Sequence, residues 1–371
     1  MIAMERILHI NSTIYINSGV MSVVMNYYRN IDKHKIQFDF LYFIKPEDGY
    51  KTYQTEIETM GGKVFFIPDF ARFWNFNKQL SKLLEKNADY STVHIHDPFV
   101  VRFVYSTLRK HGINNIIVHS HATQWSDKKI NGLRNQIICY NLQKYVDYSF
   151  ACSQAAGEFL YGKNRKFTII NNAIDSIKYK YDAPTRERIR NEIKISDKLV
   201  FGHVGNFNNQ KNHIFLIDVF KRIVTLNENT CLLLIGDGPL RKEIEFKVHE
   251  QGLEKYVLFL GKRMDVENFY QAMDCMILPS LYEGLPMVGV ESQCSGLPVL
   301  FSDTITKEVG LVKFRFMSLE DTIENWAKSA MSLAQEDLDR SQAVKVIERR
   351  GFCINKEAEK LATLYLKMSE K

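Results

Sequence analysis

Short apolar runs recur along this chain, each closed by glycine, proline or a small polar residue and followed by a longer stretch of helical spacing. That alternation constrains the fold more than any other feature. Continuously apolar runs suit strands buried on both faces, and strands separated by helices assemble into parallel sheets. In the first half the spacing predicts strands at 6–11, 37–43, 63–67, 93–96, 115–119, 148–152 and 167–171, with helices at 20–31, 76–86 and 102–111. A second series starts near Lys198, with strands at 199–204, 230–235, 257–260, 275–278 and 299–301 and helices at 213–226, 240–250 and 266–273. The expected architecture is α/β: two doubly wound halves, each with its own parallel sheet, joined by the polar stretch 171–194. Domain bounds of 1–175 and 176–355 follow, with a last helix over 356–371 long enough to return to the first domain. Ligands of open parallel sheets lie beyond the carboxyl ends of the strands, so a cleft between two such domains is the default site.

The length of 371 residues suits two domains, and 45% apolar with 12% aromatic residues is ample for two cores. A net charge of +6 is too mild for a dedicated nucleic-acid binder and no nucleic-acid motif is present, whereas an anionic ligand or membrane surface would fit. The six cysteines have neither metal-site nor redox spacing and read as buried reduced thiols. The N-terminus carries charges where a signal peptide has its apolar core, and no uninterrupted apolar run is long enough to span a bilayer. The expectation is a cytoplasmic protein, peripheral at most.

Four constellations follow predicted strands of the second half. Gly205-Asn206-Phe-Asn-Asn-Gln-Lys211-Asn-His213 is a strand-to-helix turn, where free amides, the helix dipole and a lysine favour an anion; a solvated lysine at a helix start is the plain alternative. In Ile235-Gly-Asp-Gly-Pro239 the glycines allow a tight turn and Asp237 can cap the next helix. Arg263, in Leu260-Gly-Lys-Arg-Met-Asp265, can read a base or a phosphate, or can be a surface arginine. The fourth, Glu283-Gly284-Leu285-Pro286-Met287-Val288-Gly-Val-Glu291, sets two acids at the ends of an apolar, glycine-rich segment. An unpartnered buried carboxylate is costly, so a hydroxyl-rich ligand is one reason for the pair. The amides of Gly284 to Val288 would open a helix and could hold a sugar or a phosphate. Eight positions of spacing keep the acids off the same sugar. In the first half, Gly19 allows close backbone approach, and His96 and His121 lie just beyond strands, where a satisfied structural histidine is the commoner outcome.

In order and spacing, the stretches Gly205 to His213, Leu234 to Leu240, Leu260 to Val266 and Leu278 to Gln293 resemble the retaining glycosyltransferases of family 4. Phe38-Asp-Phe-Leu, His119-Ser-His-Ala and Phe150-Ala-Cys-Ser-Gln-Ala-Ala-Gly point to its bacterial exopolysaccharide and capsule subgroup. The resemblance implies the GT-B fold of two facing Rossmann-like domains. It implies transfer of a hexose or N-acetylhexosamine from a nucleotide-sugar, usually a UDP-sugar, to a lipid-linked oligosaccharide, with retention and without metal or other cofactor. It assigns Lys211 to the diphosphate, Glu291 to the ribose, Glu283 to the donor sugar, His121 to the side of the reacting sugar and Gly19 to the diphosphate from the first domain. Asn206 stands where the family usually has an arginine, which shifts charge onto Arg263 or the helix N-terminus. The same fold also hosts nucleotide-sugar epimerases, which need no acceptor, and a non-catalytic binding module is the alternative of another class. For the acceptor surface, 70–76 and 125–134 combine aromatic and cationic residues as an interfacial patch would.

Overall fold

The computed structural model describes residues 4–370 apart from 17, 47–49, 88, 126–128 and 337–338, and the side chains of 129–131 also fall outside it. The chain divides into two compact units, Met1–Ala173 with Cys353–Lys371, and Ile174–Phe352.

The strands of unit 1 are β1 (Glu5–Asn11), β2 (Ile36–Tyr42), β3 (Val64–Phe66), β4 (Tyr90–Ile95), β5 (Asn115–Ser120), β6 (Tyr148–Ala151) and β7 (Thr168–Ile169). They form one seven-stranded sheet in the order β3-β2-β1-β4-β5-β6-β7, parallel throughout. Every residue of β2 and β5 is buried, so the polar residues they carry, Gln37 and Asp39 on β2 and Asn115, His119 and Ser120 on β5, are buried with the apolar ones. Asp39 is the charged residue of β2. It is 0% exposed and takes hydrogen bonds from Arg6 Nε at 2.7 Å, Tyr90 OH at 2.6 Å and Lys63 N–H at 2.6 Å. The final helix, Ile354–Ser369, packs its buried face, which includes Ala358, Leu361 and Tyr365, against the helix Gly19–Asn30 and β4.

Unit 2 holds β8 (Leu199–Val204), β9 (Thr230–Ile235), β10 (Val257–Gly261), β11 (Cys275–Leu278), β12 (Val299–Ser302) and β13 (Phe314–Met317). The order is β10-β9-β8-β11-β12-β13, again parallel. Edge strand β13 was not expected from the sequence. Its first two residues, Phe314 and Arg315, are exposed, so it lacks the doubly buried signature of the others. The polar stretch between the units also proves partly ordered: Pro184 and the Asp182 cap, whose carboxylate accepts from Thr185 N–H at 2.9 Å, start a helix at Ala183–Glu192. Trp326 is fully buried beside β11 and β12 and gives its indole N–H to Ser318 O at 2.8 Å. All six cysteines are free and buried.

Candidate functional site

In unit 2 the loop leaving β8 is shaped by glycine. A Cβ at Gly205 would lie 3.0 Å from Lys211 Cε and 3.1 Å from its Cδ, so the missing side chain leaves a path for the lysine stem. At Gly236, with φ +138°, a Cβ would fall 1.9 Å from Gly205 O, which no other residue can accept. Asn208 Oδ1 takes the Lys211 N–H at 3.1 Å and closes the turn. Lys211 Nζ then donates to Glu283 Oε1 at 2.6 Å, with the two side chains only 13% and 12% exposed. Gln210 joins the same pair: its Nε2 donates to Glu283 Oε2 at 3.2 Å and to Tyr282 O at 3.0 Å, while its carbonyl takes the Leu281 N–H at 2.8 Å. The two loops, seventy positions apart on the chain, thus meet through a cation, an acid and an amide.

Beyond Glu283 the chain runs through half-buried Gly284 and buried Leu285 into the helix Met287–Cys294. Pro286 caps that helix without a side-chain hydrogen bond, so the helix dipole and the Met287 and Val288 amides of its first turn remain for a ligand. Glu291 lies on the next turn. Tyr270 OH donates to its Oε2 at 2.9 Å and Tyr179 supplies a second hydroxyl bond. Burial raises the Glu291 pKa, against the pull of these two hydroxyls.

The structure corrects two expectations here. The two acids do not lack partners, because Lys211 and Gln210 hold one and two tyrosines hold the other. Asp237 does not cap the helix Arg241–Glu250, whose cap is Leu240; its Oδ1 takes the adjacent Gly238 N–H at 2.9 Å. Arg263 is exposed and its guanidinium fork meets Asp265 at 2.8 Å through both Nε and Nη2, while Asn206 is also exposed.

In unit 1, Gly19 opens the helix Gly19–Asn30, with Ser18 Oγ accepting from Met21 N–H at 3.3 Å and open space where a Cβ would stand. Asn17 lies outside the described residues. His96 and His121 do not stand apart. They belong to a group of five on one face at the carboxyl end of the sheet: His9 on β1, His94 and His96 on and after β4, and His119 and His121 on and after β5. His9 Nδ1 meets His96 Nε2 at 2.9 Å, His96 Nδ1 meets His121 Nε2 at 2.9 Å, His94 Nε2 meets His119 Nδ1 at 3.2 Å, and His94 Nδ1 meets Tyr365 OH at 2.6 Å. Desolvation pushes the His9 and His121 pKa values down to about 3 and those of the other three well below the ordinary value. The rings line a small pocket with Tyr27, Phe38 and Leu361. Sequence reading missed His9, His94 and Tyr365. The signal was there, because His94-Ile-His96 and His119-Ser-His121 each put two rings on the same strand face. Gln210, Tyr179 and Tyr270 carried no such signal.

Residues 185–314 match the family model described as Glycosyl transferases group 1. Over 99% of its length and 98% of the relative's, the chain is 31% identical to the putative glycosyltransferase EpsF of Bacillus subtilis. It is 26% identical to the UDP-Gal:alpha-D-GlcNAc-diphosphoundecaprenol alpha-1,3-galactosyltransferase of Escherichia coli, over 82% of this chain and 84% of that one. In fold it is similar to Anabaena HepE, solved in complex with UDP, at a TM-score of 0.80 and 17% identity, covering 98% of this chain and 100% of that one.

Proposed function

This chain belongs to the group 1 glycosyltransferases and has their GT-B fold, and from that premise we propose that it moves a sugar, with retention, from a UDP-sugar to a polyprenyl-diphosphate-linked oligosaccharide during synthesis of a surface polysaccharide. The observation that carries the reading is the convergence of Lys211 and Glu283 beside a helix start that no side chain caps. A diphosphate brings negative charge to a place that offers an ammonium and free helix amides. The Lys211–Glu283 pair holds the ammonium in position beforehand, so little reorganisation accompanies binding. As the bond to the sugar breaks, charge grows on the departing phosphate oxygen, and Lys211 with the Met287 and Val288 amides stabilises it. The acceptor hydroxyl attacks the face that the nucleotide leaves and gives its proton to that phosphate. Glu283 orients the donor sugar, Glu291 takes the ribose hydroxyls, and no metal takes part.

Unit 1 takes the acceptor, with His96 and His121 on that side. Similarity to the galactosyltransferase acting on a diphosphoundecaprenol lipid supports a lipid-linked acceptor. No helix among the described residues is long and apolar enough to cross a membrane. Leu133, Ile137 and Tyr140 stand exposed one turn apart along and just past the helix Lys129–Ile138, and Trp74 is 80% exposed, a surface suited to the interface of an anionic membrane. In the predicted 70–76 patch, however, Phe70 packs against Phe43, Phe76, Phe99 and Phe103 rather than facing out. Thermal stabilisation by a panel of UDP-, GDP- and ADP-sugars tests the donor: UDP-sugars should raise Tm, and a response confined to GDP- or ADP-sugars would refute that choice.

A further inference from the structure

We propose that His96, His119 and His121 of unit 1 form a binding site for one divalent transition-metal ion of the zinc class. Each of the three offers a ring nitrogen within 4.8 Å of the other two. Three imidazoles around one ion are a recognised zinc donor set, with nitrogen at roughly 2.0–2.1 Å and a fourth position left for water or an anion. His96 Nδ1 and His121 Nε2, now 2.9 Å apart, need to part by only about half an ångström to share a tetrahedral ion at those bond lengths.

Two further observations point to a ligand. First, His119 Nε2 and His9 Nε2 are buried ring nitrogens with no hydrogen-bond partner among the described residues, although both side chains are no more than 2% exposed. An unsatisfied buried polar atom is expensive, and His119 Nε2 is the atom that a metal would satisfy. Secondly, the outer support that metal-bound imidazoles ordinarily have is in place. With Nε2 on the ion, His119 Nδ1–H donates to His94 Nε2, and His94 Nδ1–H donates to Tyr365 OH. With Nδ1 on the ion, His96 Nε2–H donates to His9 Nδ1. The ligand tautomers then follow from the network, with the His9 proton left on Nε2. His121 is the half-buried member and gives the ion its way in. The other three-ring combination, His9, His94 and His96, is buried throughout and would break both outer supports. An ion held by His121 would also withdraw that ring from the sugar, so the metal-bound form is not the transferring one.

Full-length protein stripped with chelator and titrated with cobalt(II) should take up one ion with the visible absorption of a tetrahedral nitrogen site. Zinc should displace it one for one and raise Tm. His119→Gln should abolish the signal, and His121→Asn should do so if His119→Gln fails to fold. Tyr365→Phe, which spares all three ligands and acts on His119 only through His94, should weaken cobalt binding, but by less than the roughly 10–100-fold that losing a direct partner of a ligand costs. A double His34→Gln, His249→Gln variant, which removes exposed rings outside the cluster, should bind as wild type. Absence of a stoichiometric tetrahedral cobalt spectrum would overturn the proposal, as would a signal that survives His121→Asn or disappears with the surface pair.

Discussion

In the proposed reaction, Lys211 is the residue on which transfer depends most. It is one of few groups able to neutralise charge on a departing diphosphate, since Asn206 is uncharged and Arg263 is engaged by Asp265. Removing one preorganised donor of this kind costs about 3 kcal/mol of transition-state stabilisation, so Lys211→Ala should lower kcat by two or more decades in a steady-state assay, and should also lower Tm because Glu283 loses its cation. Glu291 gives a pH signature. Burial raises its folded pKa, so the stability it lends is full below its unfolded value and is lost as pH rises through the folded value. Glu291→Gln keeps the tyrosine partners but not the charge. The variant should therefore match wild-type Tm in mild acid, exceed it at neutral pH, and bind UDP more weakly; a variant less stable than wild type at neutral pH would show that the ionised acid is favourable there. Asp39 is a buried acid held by a cation and a hydroxyl. Its deletion as Asp39→Ala strands Arg6 and Tyr90, and a loss of about 3–5 kcal/mol is expected in denaturant unfolding.

At the scale of elements, the sequence was most readable where strands are buried on both faces. β8, β9 and β11 have the bounds that their apolar runs predict, because a continuous apolar run bounded by turn residues leaves little freedom in register. It was least readable at the sheet edge, where β13 exposes Phe314 and Arg315, and in the 171–194 stretch, where a cap and a proline start a helix in a polar setting. Site legibility divides the same way. Residues on loops after strands could be singled out from sequence, since that is where parallel sheets bind ligands. The groups that hold them, Gln210, Tyr179 and Tyr270, come from distant positions that no local pattern connects. The helix carrying Trp326 tests the core of unit 2: Trp326→Ala leaves a cavity and an unpartnered Ser318 carbonyl, and should cost about 3–5 kcal/mol by calorimetry.

For the whole molecule, histidine burial makes acid response unequal. Unit 1 contains five rings held neutral, and unit 2 contains two, His203 with its pKa down to about 4 and His213 down to about 2. A histidine whose folded pKa is depressed contributes stability that is full above about pH 6.5 and is lost as pH falls toward the folded value, at up to about 1.4 kcal/mol per pH unit per ring. Asp97, raised by burial to about 6, offsets part of this in unit 1. Calorimetry from pH 7 to pH 5 should therefore show the unit 1 transition falling faster; equal movement of both units would contradict the neutral cluster. Above all of these stands the claim that this two-unit fold transfers sugar from a UDP donor to a lipid-linked acceptor. The most direct measurement is mass spectrometry of a synthetic GlcNAc-diphosphate-polyprenyl lipid after incubation with a UDP-sugar panel and either wild type or Lys211→Ala. Addition of one sugar from a UDP donor, reduced at least a hundredfold by the substitution, is the expected result; unmodified lipid with every donor, or equal product from the Lys211→Ala variant, would contradict it.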